Sequence, residues 1–384
     1  MDKIKVMAIF GTRPEAIKMC PLVNELKKRD EFDCKVCVTA QHREMLDQVL
    51  EVFNLTPDYD LNIMKNKQTL CSITTNVLNG LNDIFIKEEP QLVLVHGDTT
   101  TTFAASLSAF YNKIAVGHVE AGLRTYNKYS PFPEEANRVL TGHIADLHFA
   151  PTKTSNDNLL KEGIKDNNIF ITGNTVIDAM QTTVEQNYTF ENKELNSIDF
   201  INKKVIMVTA HRRENWGEPL ENICYSLKNI AETMDNVEIV YLVHLNPLVK
   251  ETAHKILGNT KNVHLLPPLA LKETHNLMNK CYLIMTDSGG IQEEAPHLGK
   301  PVLVLRDTTE RPEAVAAGTV KVVGTDKEII IDTAKLLLTD EGEYTQMSNS
   351  VNPYGDGKAS ERIADDILYY YGYIKNKPED FNTI

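Results

Sequence analysis

"KVMAIFGTRPEAIK", residues 5–18, runs from an apolar segment through a single glycine into a helix start. Lys5 to Phe10 reads as a buried strand. Gly11 supplies the tight turn, Thr12 suits an N-cap, and Pro14 suits the first helical position, where a missing N–H costs nothing. The stretch is therefore a strand-turn-helix unit, and Arg13 and Lys18 place positive charge near its helix start.

The same rhythm recurs along the chain. "KVCVT" (35–39), "LVLVHG" (92–97), "IAVGHV" (114–119) and "LHFA" (147–150) read as further buried strands. Between them the clearest helix spans 69–87. Leu70, Ile73, Val77, Leu78, Leu81, Ile84 and Phe85 share one face at steps of three and four, and Thr69 is positioned as the cap. The rhythm pauses over "QNYTFENKELNSIDFINK" (186–203), then restarts with "VIMVTAH" (205–211), "EIVYLVH" (238–244), "VHLLP" (263–267), "YLIMTD" (282–287) and "PVLVL" (301–305). Alternating strands and helices predict parallel sheets with helices on both faces. The fold class is α/β, with two Rossmann-like doubly wound domains and a cleft between them.

A length of 384 residues fits two or three domains of roughly 100–200 residues each. The expected division is a first domain over 1–185, a linker over 186–203 and a second domain over 204–357. The last helix pattern, within 358–384, is expected to pack back on the first domain. At 42% hydrophobic and 24% charged, the composition is that of a globular protein. The net charge of −13 speaks against a nucleic-acid partner, though a local arginine cluster can still hold a small anion. No apolar stretch approaches the roughly 18 residues of a membrane span, and the chain runs directly into a strand. A cytoplasmic protein with no membrane partner is expected. Cys34 and Cys37 form a CxxC, but no second pair completes a metal site, and both sit in a strand pattern.

Ligands of open parallel sheets bind beyond the carboxyl ends of the strands, so the residues that follow each strand carry the chemistry. In the first half these are Arg13 and Lys18, then "HGDTTTT" with Asp98, "GHVEAGLRT" with His118, Glu120 and Arg124, and "SPFPEEANR" with Glu134, Glu135 and Arg138. In the second half they are "HRREN" with His211 and Arg212, "HLNP" with His244, "TDSGGIQEEAP" with Ser288, Gly289, Gly290 and Glu294, and "RDTTERPEA" with Arg311. Singly, each has a bland reading: Asp98 and Thr12 as caps, His118 or His244 as core histidines, an early Glu as a complement to the helix dipole. Their recurrence at nearly every strand end favours an enzyme.

The ligand narrows by its motifs. GxxxxGK[ST], GxGxxG after a strand, and HExxH are all absent. Arginines beside a glycine-rich helix start fit a diphosphate, while plentiful carboxylates fit acid–base work on a neutral group. A sugar nucleotide meets both. Ser288–Gly290 would seat phosphate and Glu294 would accept from a ribose diol; Glu293 is expected in a salt pair or as a dipole complement.

Together "FGTRPEAIKM", "TAQHREMLDQVL", "VHGDTTTT", "GHVEAGLRT", "PEEANR", "TAHRREN", "TDSGGIQEEAP", "RDTTERPEA" and "NPYGDGKASERI" resemble the non-hydrolysing UDP-N-acetylglucosamine 2-epimerases, in order and over nearly the whole chain. The resemblance implies GT-B architecture and a homodimer. It also implies interconversion of UDP-N-acetylglucosamine and UDP-N-acetylmannosamine, a precursor of surface polysaccharides. UDP would be eliminated to leave 2-acetamidoglucal and then added back, with no metal or redox cofactor. Asp98, Glu120 and Glu134 match the family's acid–base residues and His211 a phosphate contact. Arg138 and Arg311 match its substrate-binding positions and Glu294 its ribose contact, while Arg13, Lys18, Ser288, Gly289 and Gly290 are the further substrate-binding candidates read from the strand ends. Gln41, Glu134, Arg212 and His244 match a second UDP-N-acetylglucosamine site that acts as an activator. Glu44 stands where some members carry Gln, and Lys67 where they carry Arg; lysine cannot reproduce a bidentate guanidinium contact. The competing readings are a GT-B glycosyltransferase, a hydrolysing epimerase that releases N-acetylmannosamine, and a non-catalytic sugar-nucleotide sensor.

Overall fold

Thirteen strands divide between two parallel sheets in a computed structural model, which describes residues 2–40, 43–64 and 68–382. In the first sheet the strands are β1 (Ile4–Phe10), β2 (Phe32–Val38), β3 (Tyr59–Asp60), β4 (Leu92–His96), β5 (Ala115–Val119), β6 (Leu147–Ala150) and β7 (Ile169–Ile171). They lie in the order β3-β2-β1-β4-β5-β6-β7, every pairing parallel. The second sheet holds β8 (Lys204–Thr209), β9 (Val237–Leu242), β10 (Val263–Leu266), β11 (Leu283–Thr286), β12 (Val302–Val304) and β13 (Val320–Val322). Its order is β10-β9-β8-β11-β12-β13, again all parallel. The expected α/β class with two doubly wound parallel sheets is the one observed. The three strands that periodicity did not reveal, β3, β7 and β13, are two or three residues long.

Strand β4 is buried along its whole length, as a central strand covered on both faces must be. The helix Leu70–Glu88 covers one of those faces. Ile73, Val77, Leu81 and Phe85 recur at steps of four and pack against Met7, Ile9, Val93 and Val95. Thr69 caps it, its hydroxyl accepting the Ser72 N–H at 3.1 Å. Cys37 belongs to the same apolar cluster and Cys34 is also buried. Burial pushes both thiols up to about 12, so both are inert thiols of the core.

The chain forms two compact units, one of residues 1–182 with 354–384, the other of 183–353. In unit 1 the C-terminal helix Ala359–Tyr370 buries Ile363, Ala364 and Ile367. It is tied down by Arg29, 2.5 Å from Asp365, and by Asp178, whose carboxylate accepts the N–H groups of Ala359 (3.2 Å) and Ser360 (2.6 Å). Residues 186–203, read above as a linker, hold one short helix, Lys193–Asn196. They are anchored in unit 2 by buried Phe190 and Leu195, and by the Asn192 N–H donated to Glu273 at 3.1 Å. The strand rhythm is absent there because side-chain anchors, not a ladder, hold the segment.

Candidate active site

In each sheet the strand order reverses at one point, and chain connections then leave the two neighbouring strands in opposite directions. That point lies between β1 and β4 in unit 1, and between β8 and β11 in unit 2. The residues singled out from sequence gather at both.

In unit 1, β1 leads into Gly11, which is closely boxed in. A methyl group there would stand 2.0 Å from the Thr39 hydroxyl oxygen and 2.9 Å from that of Thr101. Thr12 occupies the N-cap position of the helix Arg13–Lys28, and half-buried Arg13 opens it. The buried carboxylate of Glu15 binds this turn to the one after β4: it accepts the N–H groups of Gly11 (3.1 Å) and Thr12 (2.8 Å) and the Thr99 hydroxyl (2.7 Å). Thr99, not Asp98, caps the next helix, Thr100–Tyr111, by accepting the Thr102 N–H. Asp98 is left to pair with Arg138, which also reaches Glu135 at 3.2 Å. The Asn137 side chain, from the same helix Glu134–Ile144, donates to the Asp98 carbonyl at 2.9 Å.

Glu120 follows β5 in left-handed backbone, φ 61°, a conformation that costs a non-glycine residue about 1–3 kcal/mol. Its carboxylate takes the Lys18 ammonium and the Asn174 side-chain N–H (2.9 Å), and His96 Nε2 lies 3.6 Å away. Burial alone would raise its pKa, but the Lys18 charge and, behind it, His96 outweigh that. Its carboxyl is held well below the usual carboxylate range. Glu134 begins its helix without an ion pair among the described residues. His118 meets its bland reading: fully buried, it bonds the Gly97 carbonyl at 2.7 Å through Nε2, and burial pulls its imidazole down to about 3.

In unit 2, β11 leads into Asp287, a carboxylate with no exposed surface. One of its oxygens accepts the N–H groups of His211 (2.7 Å) and Arg212 (2.8 Å) and the Asn215 side chain (3.0 Å). The loop after β8 is thereby fixed to the loop after β11. The His211 ring stacks on His244 with centroids 5.6 Å apart. Burial draws the His211 imidazole below its ordinary value against the pull of Asp287, with Arg212 and His244 adding to the fall.

Ser288 is the N-cap of a six-residue helix, Gly289–Glu294. A methyl group at Gly289 would lie 3.6 Å from a guanidinium nitrogen of Arg311 and 4.0 Å from one of Arg212. Two cations thus border a helix start whose N–H groups favour an anion. Arg311 is oriented by Glu293, at 2.5 Å, which settles Glu293 as a salt-pair partner. Glu294 lies beside Gly290 and 3.6 Å from buried His275, whose other nitrogen is 2.6 Å from the Thr183 hydroxyl. Arg212 Nε and His275 Nε2 are buried without a hydrogen-bond partner among the described residues. Gln41 and Lys67, and the side chain of Glu44, lie outside the described residues.

Sequence reading missed Glu15, His96, Asn174, His275 and Asp287 as members of these clusters. His96 and Asp287 end or follow strands already recognised, so the strand-end rule reaches them. Asn174 follows the unrecognised β7, and His275 lies inside a helix with no local mark.

A family model described as UDP-N-acetylglucosamine 2-epimerase matches residues 24–368. A Bacillus subtilis protein named UDP-N-acetylglucosamine 2-epimerase is 60% identical over 381 residues, covering 99% of each chain. The Staphylococcus aureus protein MnaA, solved with UDP, superposes with a TM-score of 0.89 at 51% identity over 100% of both chains. A Neisseria meningitidis UDP-GlcNAc 2-epimerase, solved with UDP-GlcNAc bound, gives a TM-score of 0.86 at 54% identity, covering 95% of this chain and 99% of the other.

Proposed function

As the chain belongs to the UDP-N-acetylglucosamine 2-epimerase family, we propose that it is a non-hydrolysing member. It inverts carbon 2 of UDP-N-acetylglucosamine reversibly, giving UDP-N-acetylmannosamine for surface polysaccharide synthesis in the cytoplasm. A base removes the carbon 2 proton while the bond from carbon 1 to the diphosphate oxygen breaks, and its electron pair leaves with UDP. The remaining 2-acetamidoglucal takes UDP back at carbon 1 and a proton on the opposite face of carbon 2.

The observation that carries this reading is the paired setting of Glu120 and Asp98. Each is a carboxylate at a strand end, held by its own cation, Lys18 and Arg138. Glu120 is kept ionised, the form that can accept a proton, although the Lys18 charge that holds it there also weakens it as a base. Because the carbon 2 proton is weakly acidic, departure of UDP must run ahead, and that needs stabilised negative charge on the diphosphate. His211, Arg212, Arg311 and the Ser288–Gly290 turn would supply it, with Glu294 at the ribose. Arg13 would supply positive charge at the turn after β1. The enzyme is proposed to act as a homodimer, with Gln41, Glu134, Arg212 and His244 serving a second UDP-N-acetylglucosamine as activator.

Incubation with UDP-N-acetylglucosamine in heavy water tests the reaction. The expected result is deuterium at carbon 2 in recovered substrate and in UDP-N-acetylmannosamine. Free N-acetylmannosamine as the main product would identify a hydrolysing enzyme instead, and absence of exchange would remove the epimerase mechanism.

A further inference from the structure

At the amino-terminal edge of the second sheet, opposite the strand ends that carry His211 and Ser288, lies a cavity of about 370 Å³. Lys203, Lys204, Lys280 and Lys300 line it, with Tyr282 and Tyr344, and no carboxylate does. All four lysines are half-buried. In a chain of net charge −13, four ammonium groups around one cavity reverse the local field.

Helix ends account for part of this cluster. Lys204 donates to the Leu338 carbonyl at 2.7 Å, in the last turn of the helix Lys327–Thr339. Lys280 closes the helix Leu271–Lys280 and donates to the Tyr188 carbonyl at 2.6 Å. Both complement the negative ends of helix dipoles. The Lys203 ammonium donates to the Asp235 carbonyl, at 2.5 Å, and the Lys300 ammonium makes no hydrogen bond or ion pair among the described residues. The nearby acid Asp199 feels the Lys203 charge, but its hydrogen bonds go to its own turn: it accepts the N–H groups of Ile201 (3.1 Å) and Asn202 (3.0 Å). Helix capping therefore leaves two positive charges, and most ammonium donors, unexplained.

We propose that this cavity is a second anion site, for a small phosphate ester or diphosphate. Ammonium groups are compact point charges with three donors each, and several of them around a cavity suit an anion with oxygens on many sides. A planar carboxylate would call for the arginine fork. The volume falls within the roughly 300–1,000 Å³ of small-molecule sites, more than a lone phosphate needs. Tyr282 is already sandwiched, with Lys204 4.5 Å from its ring centre and the Tyr344 ring 4.1 Å away. The rings therefore brace the ammonium rather than stack a ligand. The site stands apart from the epimerase reading and would hold if that reading fell.

Calorimetric titration of the full chain with inorganic pyrophosphate, and separately with inorganic phosphate, tests it against a Lys203→Met/Lys300→Met double variant. These two lysines hold no helix end. The difference between wild type and variant isolates this cavity even if pyrophosphate also binds elsewhere. Pyrophosphate should bind wild type more tightly than phosphate does, weaken with added salt, and lose about tenfold or more in the variant, the effect of at least one charge-assisted hydrogen bond. Equal affinity in the two proteins would overturn the proposal. Should the double variant prove unfolded by circular dichroism, the single Lys300→Gln variant decides: weaker binding supports the site, and unchanged binding refutes it.

Discussion

His211 Nδ1 lies 3.2 Å from one carboxylate oxygen of Asp287, while the other oxygen accepts the backbone N–H of the same histidine at 2.7 Å. A single buried acid thus sets both the main chain and the ring of the residue assigned to the diphosphate.

Asp287→Asn should therefore damage binding as well as turnover. The amide keeps the shape but loses the charge that gathers three donors, at a cost of about 1–3 kcal/mol in stability. UDP affinity and turnover should both fall, by about 10–100-fold as expected for the loss of an orienting partner. Urea unfolding and UDP titration read the two effects. Wild-type affinity in this variant would free His211 from dependence on Asp287.

The acids of unit 1 should separate binding from chemistry. Asp98→Asn and Glu120→Gln should each retain UDP while turnover drops by about 10²–10⁴-fold, the scale of a lost general acid or base. Carbon 2 exchange should fall with turnover in both. Full activity in either variant would strike that residue from the catalytic set.

Arg311→Met removes the cation beside Glu293, a carboxylate almost wholly buried, and should cost about 3–5 kcal/mol. Adding Glu293→Gln should recover much of that stability without restoring UDP affinity. Denaturant midpoints measure the first effect and UDP titration the second. If stability and affinity recovered together, Arg311 would be a structural cation alone.

Buried histidines predict a pH response with a definite sign. His118 is held down to about 3 against an ordinary 6.5, so the unfolded chain binds its proton first. Its contribution is complete above pH 6.5 and is lost as pH falls toward 3. Between those limits wild type should lose stability faster than His118→Gln by about 1.4 kcal/mol per pH unit. Parallel stability curves from pH 7.5 to 5 would show that His118 binds its proton as readily in the fold as in the unfolded chain, against the expected depression.

Long apolar runs made both sheets readable, because a parallel strand buried on both faces needs no alternation to betray it. Strands of two or three residues, β3, β7 and β13, carry too few side chains for any period to register. Missing β7 also hid Asn174, which reaches Glu120 from the turn beyond it. The strand-end rule found Asp98 but left its cap reading open; only the hydrogen bond from Thr102 to Thr99 decides it. Pairs such as Arg311 with Glu293, or His275 with Glu294, bring together residues some eighteen positions apart. No local pattern encodes such a meeting.

Unit 2 is one uninterrupted span, whereas unit 1 needs the first residues of the chain and the last. On the ribosome, the later-made unit can therefore be finished while the earlier-made one still waits. Until the tail emerges, Asp178 has no Ala359 or Ser360 N–H groups to accept, and Arg29 has no Asp365. The acid-bearing unit acquires its closing helix only after all of unit 2 has been made, so a chain stopped before residue 359 carries the assigned acids on an unfinished scaffold.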